Sequence, residues 1–308
     1  MPTRIPRRVV HYSRLDPETT QGGVESFARN LKLSFEHVDF MTPETRDEAR
    51  VRRERLPVIC DNHMVLDWPT DIPLLGFRHG MAWRKVQVTR SRHDLGLAAR
   101  QLRAARRPNV TWVSCARWID QAFARISGGP GAGVVYHPVD LERFDGRREN
   151  IDARLVLHDA RSEHKGRHLF EQLARALPEY RFEPLSCPSA DVPERMRKAA
   201  AFMHLSRYEG NSIVCNEAMA MSLPCLFTRV GLMLDRDQRF DVELIEPSVA
   251  FREPAALLQA TRAFLASLEH RRYQPRAWVT EHASLDATRA AWAHCLAEFD
   301  KLSWPRPA

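Results

Sequence analysis

The stretch 206-SRYEGNSIVCNEAMAMSLPCLF-227 decides how the rest of the chain is read. Two glutamates, Glu209 and Glu217, stand eight positions apart in one of its most apolar segments. Acidic side chains are rarely buried without a partner. Phe202–Leu205 reads as a strand, Ser206–Gly210 as a turn, and Asn211 or Ser212 as the cap of a helix running through Met221. Such a helix start presents free amides and the positive end of the dipole to an anion. Glu209 precedes it, and Glu217 lies one turn below Ile213 on the same face. A carboxylate accepts hydrogen bonds from neighbouring sugar hydroxyls. Carboxylates on either side of an anion-binding helix start fit a nucleotide sugar, one holding a hexose and the other a ribose. Surface charges beside a core helix are the plain alternative.

Outward from this stretch, apolar runs and helical periodicities alternate, the pattern of α/β proteins. Strands are predicted at Arg8–Tyr12, Leu56–Cys60, Pro73–Phe77, Val110–Ser114 and Val134–His137, then at Ala153–His158, Tyr180–Leu185 and Ala201–Leu205. Helices are predicted after Gln21-Gly22-Gly23, at Trp118–Ile126, Arg167–Leu177 and Val192–Ala200, and from Leu285 to Leu302. The expected architecture is two doubly wound Rossmann-like domains facing a cleft, residues 1–145 and 146–284, with a C-terminal helix at 285–308 returning to the first. Ligands of such sheets sit at the carboxyl ends of the strands.

Three loops follow strands and precede helices. Gly22-Gly23 has the order of a phosphate-cradling loop, although a tight turn explains it as well. Gly128–Gly133 lies between a helix and a strand and reads as a connector. In 161-RSEHKG-166, Arg161 and Lys165 are placed to clamp a diphosphate or are simply charges in a turn. The nearby His158, His164 and His168, with Asp159 and Glu163, match no zinc spacing, so no metal is expected. His79, in 76-GFRHG-80, follows a strand where ligands approach.

The 308 residues have 44% hydrophobic and 28% charged positions, which excludes large-scale disorder. Six cysteines never form CxxC, against a zinc module or disulfide framework. The basic N-terminus lacks the apolar run of a signal peptide, and no run reaches membrane-spanning length. A cytoplasmic location is expected, with peripheral contact at the inner membrane as an option. Residues 1–150 hold 25 Lys and Arg against 18 Asp and Glu and so carry the whole net charge of +7. Within 84-RKVQVTRSRHDLGLAARQLRAARR-107, eight basic residues face one Asp. Such a patch favours an anionic membrane, a nucleic acid or an anionic substrate. Its bland reading is a solvated helix face with Leu95, Leu97, Ala98 and Leu102 as the core side.

The opening stretch resembles the E-x7-E signature of the retaining GT-B glycosyltransferases of family GT4. QGGVESFARNL is similar to that family's first glycine loop and helix, and FRHG to its histidine loop. WVSCARWIDQAF is similar to its V-S segment, HPVDLERF to its domain-boundary motif, and ARSEHKG to its Arg-Lys loop. The resemblance implies a metal-independent, cofactor-free transfer of sugar from a nucleotide-diphosphate donor to a saccharide or lipid-linked acceptor, in bacterial surface glycan synthesis. By the same resemblance Glu209 approaches the donor sugar, Glu217 binds the ribose, Arg161 and Lys165 neutralise the leaving diphosphate, and His79 contacts the sugar near its reacting carbon. Gly22, Gly23, Gly210, Asn211, Ser212, Ile213 and Val214 line the donor. Three features depart from the pattern: the Arg-x3-Lys spacing is one residue short, Ser222 replaces a glycine, and the segment between Leu185 and Phe202 lacks about one βα unit. Two other functions fit the chain, transfer of sugar to modified DNA and non-catalytic nucleotide-sugar binding. A pI near 9.3 suits the first, but no DNA-reading motif is present.

Overall fold

A computed structural model describes residues 4–20 and 22–304; Gln21 of the glycine loop lies outside them. The chain divides into two compact units, residues 1–138 with 285–308, and residues 139–284. The division falls at Pro138/Val139, before the expected 145/146, because Val139 N bonds Ala283 O and Val139 pairs with Ser284.

In chain order the first unit contains β1 (Ile5–Tyr12), α1 (Gly23–Ser34), β2 (Phe35–Met41), α2 (Glu48–Glu54), β3 (Val58–Asp61) and β4 (Leu74–Arg78). It continues with α3 (Ala82–Thr89), α4 (Arg92–Ala104), β5 (Val110–Ser114), α5 (Arg117–Ser127) and β6 (Gly133–Val134). The strands form one parallel sheet in the order β2-β1-β3-β4-β5-β6. Its central strands β3 and β4 are buried along their whole length, as parallel strands covered on both faces must be. β2 was not predicted. It is an edge strand whose Glu36, His37 and Asp39 break up the apolar run from which buried strands are read.

The basic segment 84–107 is two helices, not one face. Arg90 adopts a left-handed conformation (φ 52°) that ends α3, and Ser91 then caps α4. Leu95, expected on the core side, is 49% exposed, as is Trp83. Ala98 is the buried residue of that group.

The second unit contains β7 (Asp152–His158), α6 (Arg167–Ala176), β8 (Arg181–Pro184), α7 (Val192–Lys198), β9 (Ala199–His204) and α8 (Ile213–Ala220). β10 (Cys225–Thr228), β11 (Glu243–Ile245), α9 (Pro247–Arg252), α10 (Pro254–Ser267) and α11 (Arg276–His282) complete it. Its parallel sheet runs β11-β10-β9-β7-β8. A single seven-residue helix, α7, connects β8 to β9, which is where the sequence is short. Both sheets reverse direction beside their first strand, between β1 and β3 and between β7 and β9. These are the topological switch points at which open α/β sheets bind ligands.

The last helix, α12 (Leu285–Phe299), belongs to the first unit. Thr288, Trp292, Cys295, Leu296 and Phe299 recur at helical spacing along its buried side. Trp292 is 1% exposed and packs near Phe35 and Phe77, and Arg289 donates to Leu33 O at 2.8 Å. Truncating such an indole costs about 3–5 kcal/mol.

Candidate functional site

In the second unit the sequence-predicted groups converge at the carboxyl ends of β7 and β9. These neighbouring strands pair His158 with Met203, so the residues that end them are close. Asp159 follows β7 and His204 ends β9; both are buried. Lys165 Nζ donates to Asp159 Oδ2 at 2.7 Å and lies 3.6 Å from Glu209 Oε1. His204 Nε2 is 3.2 Å from Glu209 Oε1, and its Nδ1 is 3.9 Å from Asp159 Oδ2. Two carboxylates and two cations therefore alternate around one ring. Arg161 Nε extends it, 3.4 Å from Asp159 Oδ1, with 72% of its side chain exposed.

Electrostatics follow from this closure. Burial opposes the His204 charge, but the Cys215 sulfur and then the Glu209 carboxylate raise the imidazole to about 10. Burial would likewise raise Glu209; the bond and charge of His204, with the Lys165 charge and Ser206, hold it at about 2. The Glu209 side chain is 17% exposed, so one edge of an ionised carboxylate remains reachable. Lys165 is pulled down by burial and raised on balance by Glu209 and Asp159.

Local geometry holds the loop in place. Gly166, between Lys165 and α6, has φ 76° and a backbone so close to β9 that a Cβ would stand 2.4 Å from Leu205 O. Glycine meets both constraints at once. The turn before α8 is tied by Ser206 N to Thr228 Oγ1 at 2.9 Å and by Thr228 Oγ1 to Ser206 O at 2.7 Å.

α8 starts at Ile213. Ser212 occupies the cap position without a capping side-chain bond, and Asn211 Oδ1 accepts from Asn216 Nδ2 at 3.2 Å instead. The Ser212 side chain does not close the helix start, and Cys215 N donates to Ser212 O at 3.2 Å. Glu217 lies within α8, and no described side chain forms a hydrogen bond or ion pair with its carboxylate. Burial raises it to about 7, with Arg143 lowering and Asp159 raising it. α8 ends in a Schellman motif, Leu223 N to Ala218 O at 3.1 Å and Ser222 N to Met219 O at 3.0 Å. Ser222 takes φ 56° there, which explains why a glycine suits this position.

The nearby histidines do not converge. His158 stacks on Phe170 at 4.0 Å and is lowered to about 4 by burial. His164 Nδ1 is 3.1 Å from Ser162 Oγ, and His168 Nδ1 is 2.7 Å from Glu163 Oε2. Among the described residues no three His, Cys, Asp or Glu side chains are grouped to hold a metal ion.

In the first unit His79 follows β4. Its backbone N donates to Asn62 Oδ1 at 3.1 Å and its Nε2 lies 2.7 Å from Asp61 Oδ1. The same oxygen is 3.0 Å from His11 Nε2. His11, Asp61 and His79 thus come from three adjacent strands, β1, β3 and β4, at the switch point. Burial opposes the Asp61 charge, but the two histidines hold it far below the usual carboxylate range. His137 stacks on His79 at 6.0 Å, and burial followed by the His79 charge lowers it to about 3. Gly22 caps α1 and Gly23 begins it; a Cβ on Gly23 would meet nothing within 4 Å, so close backbone approach does not demand this glycine. Gly128 closes α5 in the left-handed conformation, which fits the connector reading of Gly128–Gly133.

Sequence reasoning missed His11, Asp61 and His204 as site residues and weighed Asp159 only for a metal. Their common signal is a polar residue within or ending an otherwise apolar strand, as in VVHY, VICD, LVLHD and AFMHL.

Residues 143–267 match the family model described as Glycosyl transferases group 1. No curated protein sequence matches the chain. Among solved structures, sucrose-phosphate synthase from Thermosynechococcus elongatus is similar with TM-score 0.75 and 16% identity, over 96% of this chain and 100% of that one. The HepE protein of Anabaena, in complex with UDP and glucose, is similar with TM-score 0.70 and 14% identity, over 94% and 99%. A glycosyltransferase from Rickettsia africae follows with TM-score 0.66 and 10% identity, over 97% and 100%. These similarities show the fold: two parallel-sheet Rossmann-like domains, as in GT-B glycosyltransferases.

Proposed function

We propose that the protein is a glycosyltransferase that moves a sugar from a nucleotide-diphosphate donor to a hydroxyl of a saccharide or glycolipid, with retention of configuration. One observation carries this reading. Arg161, Lys165 and Glu209 meet at the switch point of the second unit, inside the segment that matches the glycosyl transferases group 1 model. A diphosphate leaving group needs positive charge where its negative charge develops, and Arg161, Lys165 and the α8 start supply it. Glu217, half-buried and without a hydrogen bond or ion pair from any described side chain, suits a pair of ribose hydroxyls; Glu209 suits the sugar.

In this reading the bond from the anomeric carbon to the diphosphate oxygen breaks and its electron pair stays on the diphosphate. The acceptor oxygen bonds to the same face of the carbon, and its proton passes to the departing phosphate oxygen. The leaving group is stabilised by side chains, so no metal or cofactor is assigned. His79, oriented by Asp61, is assigned to the donor sugar. The UDP held by HepE makes a uridine donor the first to try here. We also assign the exposed basic hairpin α3–α4 to contact with an anionic membrane at the cytoplasmic face, in bacterial surface glycan synthesis. Among the described residues no helix is long and apolar enough to cross one.

The test is a thermal-shift panel with UDP, GDP, ADP, CMP and their sugars, repeated on Glu217→Ala. A ligand at 100 times its Kd adds about 2.7 kcal/mol. Stabilisation by one nucleotide, lost in the variant, supports the donor site; no shift with any of them overturns it.

A further inference from the structure

Asp159 holds the centre of the cation cluster. Its Oδ2 is 2.7 Å from Lys165 Nζ, its Oδ1 3.4 Å from Arg161 Nε, and its Oδ2 3.9 Å from His204 Nδ1. Its side chain is 8% exposed. Lysine and arginine meet phosphate oxygens in the same way, Lys as a point charge and Arg through its planar fork. Both cations assigned to the diphosphate are therefore already engaged by a carboxylate of the chain.

We propose that Asp159 is a built-in competitor for the diphosphate of the nucleotide sugar: it holds Lys165 and Arg161, weakens donor affinity, and yields Lys165 to a phosphate oxygen when the donor binds. This rests on the donor-site reading given above. The exchange is local. Lys165 sits between Asp159 and Glu209, 3.6 Å from the latter, so it changes partner without leaving the ring. Arg161 is exposed for 72% of its side chain, and its contacts with Asp159 and with Leu185 O are both long, at 3.4 Å. It is held loosely enough to swing.

The charge count sets the direction. Two cations, Lys165 and Arg161, face two carboxylates, Asp159 and Glu209, so the formal charges of these four groups cancel. Neutralising Asp159 leaves one net positive charge. For an anion several ångströms away in a partly wet site, one extra charge is worth about tenfold in affinity. Were Asp159 instead an organiser that aims Lys165 at the phosphate, its removal would weaken binding. The two roles differ in sign.

The experiment is calorimetric titration of the full chain with UDP, GDP and inorganic pyrophosphate, on wild type, Asp159→Asn, Asp159→Ser and Asp159→Asn/Lys165→Met, each checked by thermal melting. The expected result is about tenfold tighter binding in both single variants, with the gain lost in the double variant. Equal or weaker binding by a normally melting single variant overturns the competitor role while leaving the donor site standing. Failure of both single variants to fold assigns Asp159 to structure and overturns it as well. Absence of binding in every protein removes the donor-site reading and this inference together.

Discussion

His204 Nε2 stands 3.2 Å from Glu209 Oε1, joining the last residue of β9 to the turn that leads into α8. A buried imidazole between two carboxylates keeps its proton, and that proton closes the ring of charges at the second switch point.

Replacing His204 by Phe leaves Glu209 with Lys165 and Ser206 and a carboxylate poorly paired in a buried place. Breaking such a pair costs about 3–5 kcal/mol. His204 is raised to about 10, above its unfolded value, so its contribution is fully present below about 6.5 and is lost as pH rises through 10. Glu209 is lowered to about 2, so its contribution is present above its unfolded value of 4.5 and is lost as pH falls through 2. Urea unfolding of H204F at pH 6 and pH 10 should show a deficit that shrinks at the higher pH. A constant deficit would mean the loss is one of packing.

Glu217 has the opposite sign from Glu209. Its folded value of about 7 exceeds the unfolded 4.5, so the native state holds the extra proton and is favoured below 4.5. That advantage disappears as pH rises through 7. Glu217→Gln should match wild type near pH 4.5 and exceed it at pH 8 by about 3 kcal/mol, given 1.36 kcal/mol for each unit. Nucleotide affinity should fall in the same variant. Chemical denaturation across this range decides it; parallel profiles for the two proteins would refute a strained carboxylate at this position.

His79 and His11 share one oxygen of Asp61. An ionised carboxylate only accepts hydrogen bonds, so both histidines donate from Nε2 to the same Asp61 oxygen. In Asp61→Asn the negative charge that favours an Nε2–H on both rings is gone. Nitrogen-15 spectra of the histidines should show the Nδ1–H tautomer growing in the variant. Unchanged tautomer populations would show that Asp61 does not orient His79.

Gly166→Ala puts a Cβ against Leu205 O and forces a side chain into φ 76°. Each strained backbone position costs about 1–3 kcal/mol, and the contact adds to that. Denaturant midpoints should fall and nucleotide binding should weaken with them, because Lys165 is the preceding residue. A variant as stable as wild type would contradict the tight packing of this loop on β9.

The α3–α4 hairpin exposes Trp83 and Leu95 among Arg84, Arg92, Arg100, Arg103 and Arg106. Each basic residue near an anionic surface contributes about 1 kcal/mol, and an interfacial Trp adds to it. Changing Arg100, Arg103, Arg106 and Arg107 to Gln should reduce sedimentation with phosphatidylglycerol vesicles severalfold. The Arg107 guanidinium also donates to Val65 O and Trp68 O, so its replacement lowers stability as well. Binding that is insensitive to the four changes would remove the membrane assignment.

Much of the fold is legible in the sequence. Buried parallel strands are continuous apolar runs, so VVHY, VICD, LLGF and AFMH declare themselves. Amphipathic helices such as α5 and α6 carry their period in plain view, and the strand-to-helix turns that hold Glu209, Arg161 and Lys165 follow from chain order. The edge strand β2 was hidden because one side of it meets solvent and its polar residues erase the signal. Leu95 reads as a core-side residue in the solvated-face alternative because periodicity gives a helix face but not what covers it; it is exposed.

What the sequence determined by itself is therefore the class of fold and the turns from which site residues project, since both depend on local periodicity and chain order. Only the tertiary structure decided partnership. Asp159 and His204 lie forty-five positions apart, and His11 and Asp61 fifty. Each pair meets because a parallel crossover returns the chain beside its first strand, at the one place where the sheet order reverses. Hydrogen bonds and charges act over a few ångströms, so which cation neutralises which carboxylate is set by that return and not by spacing along the chain.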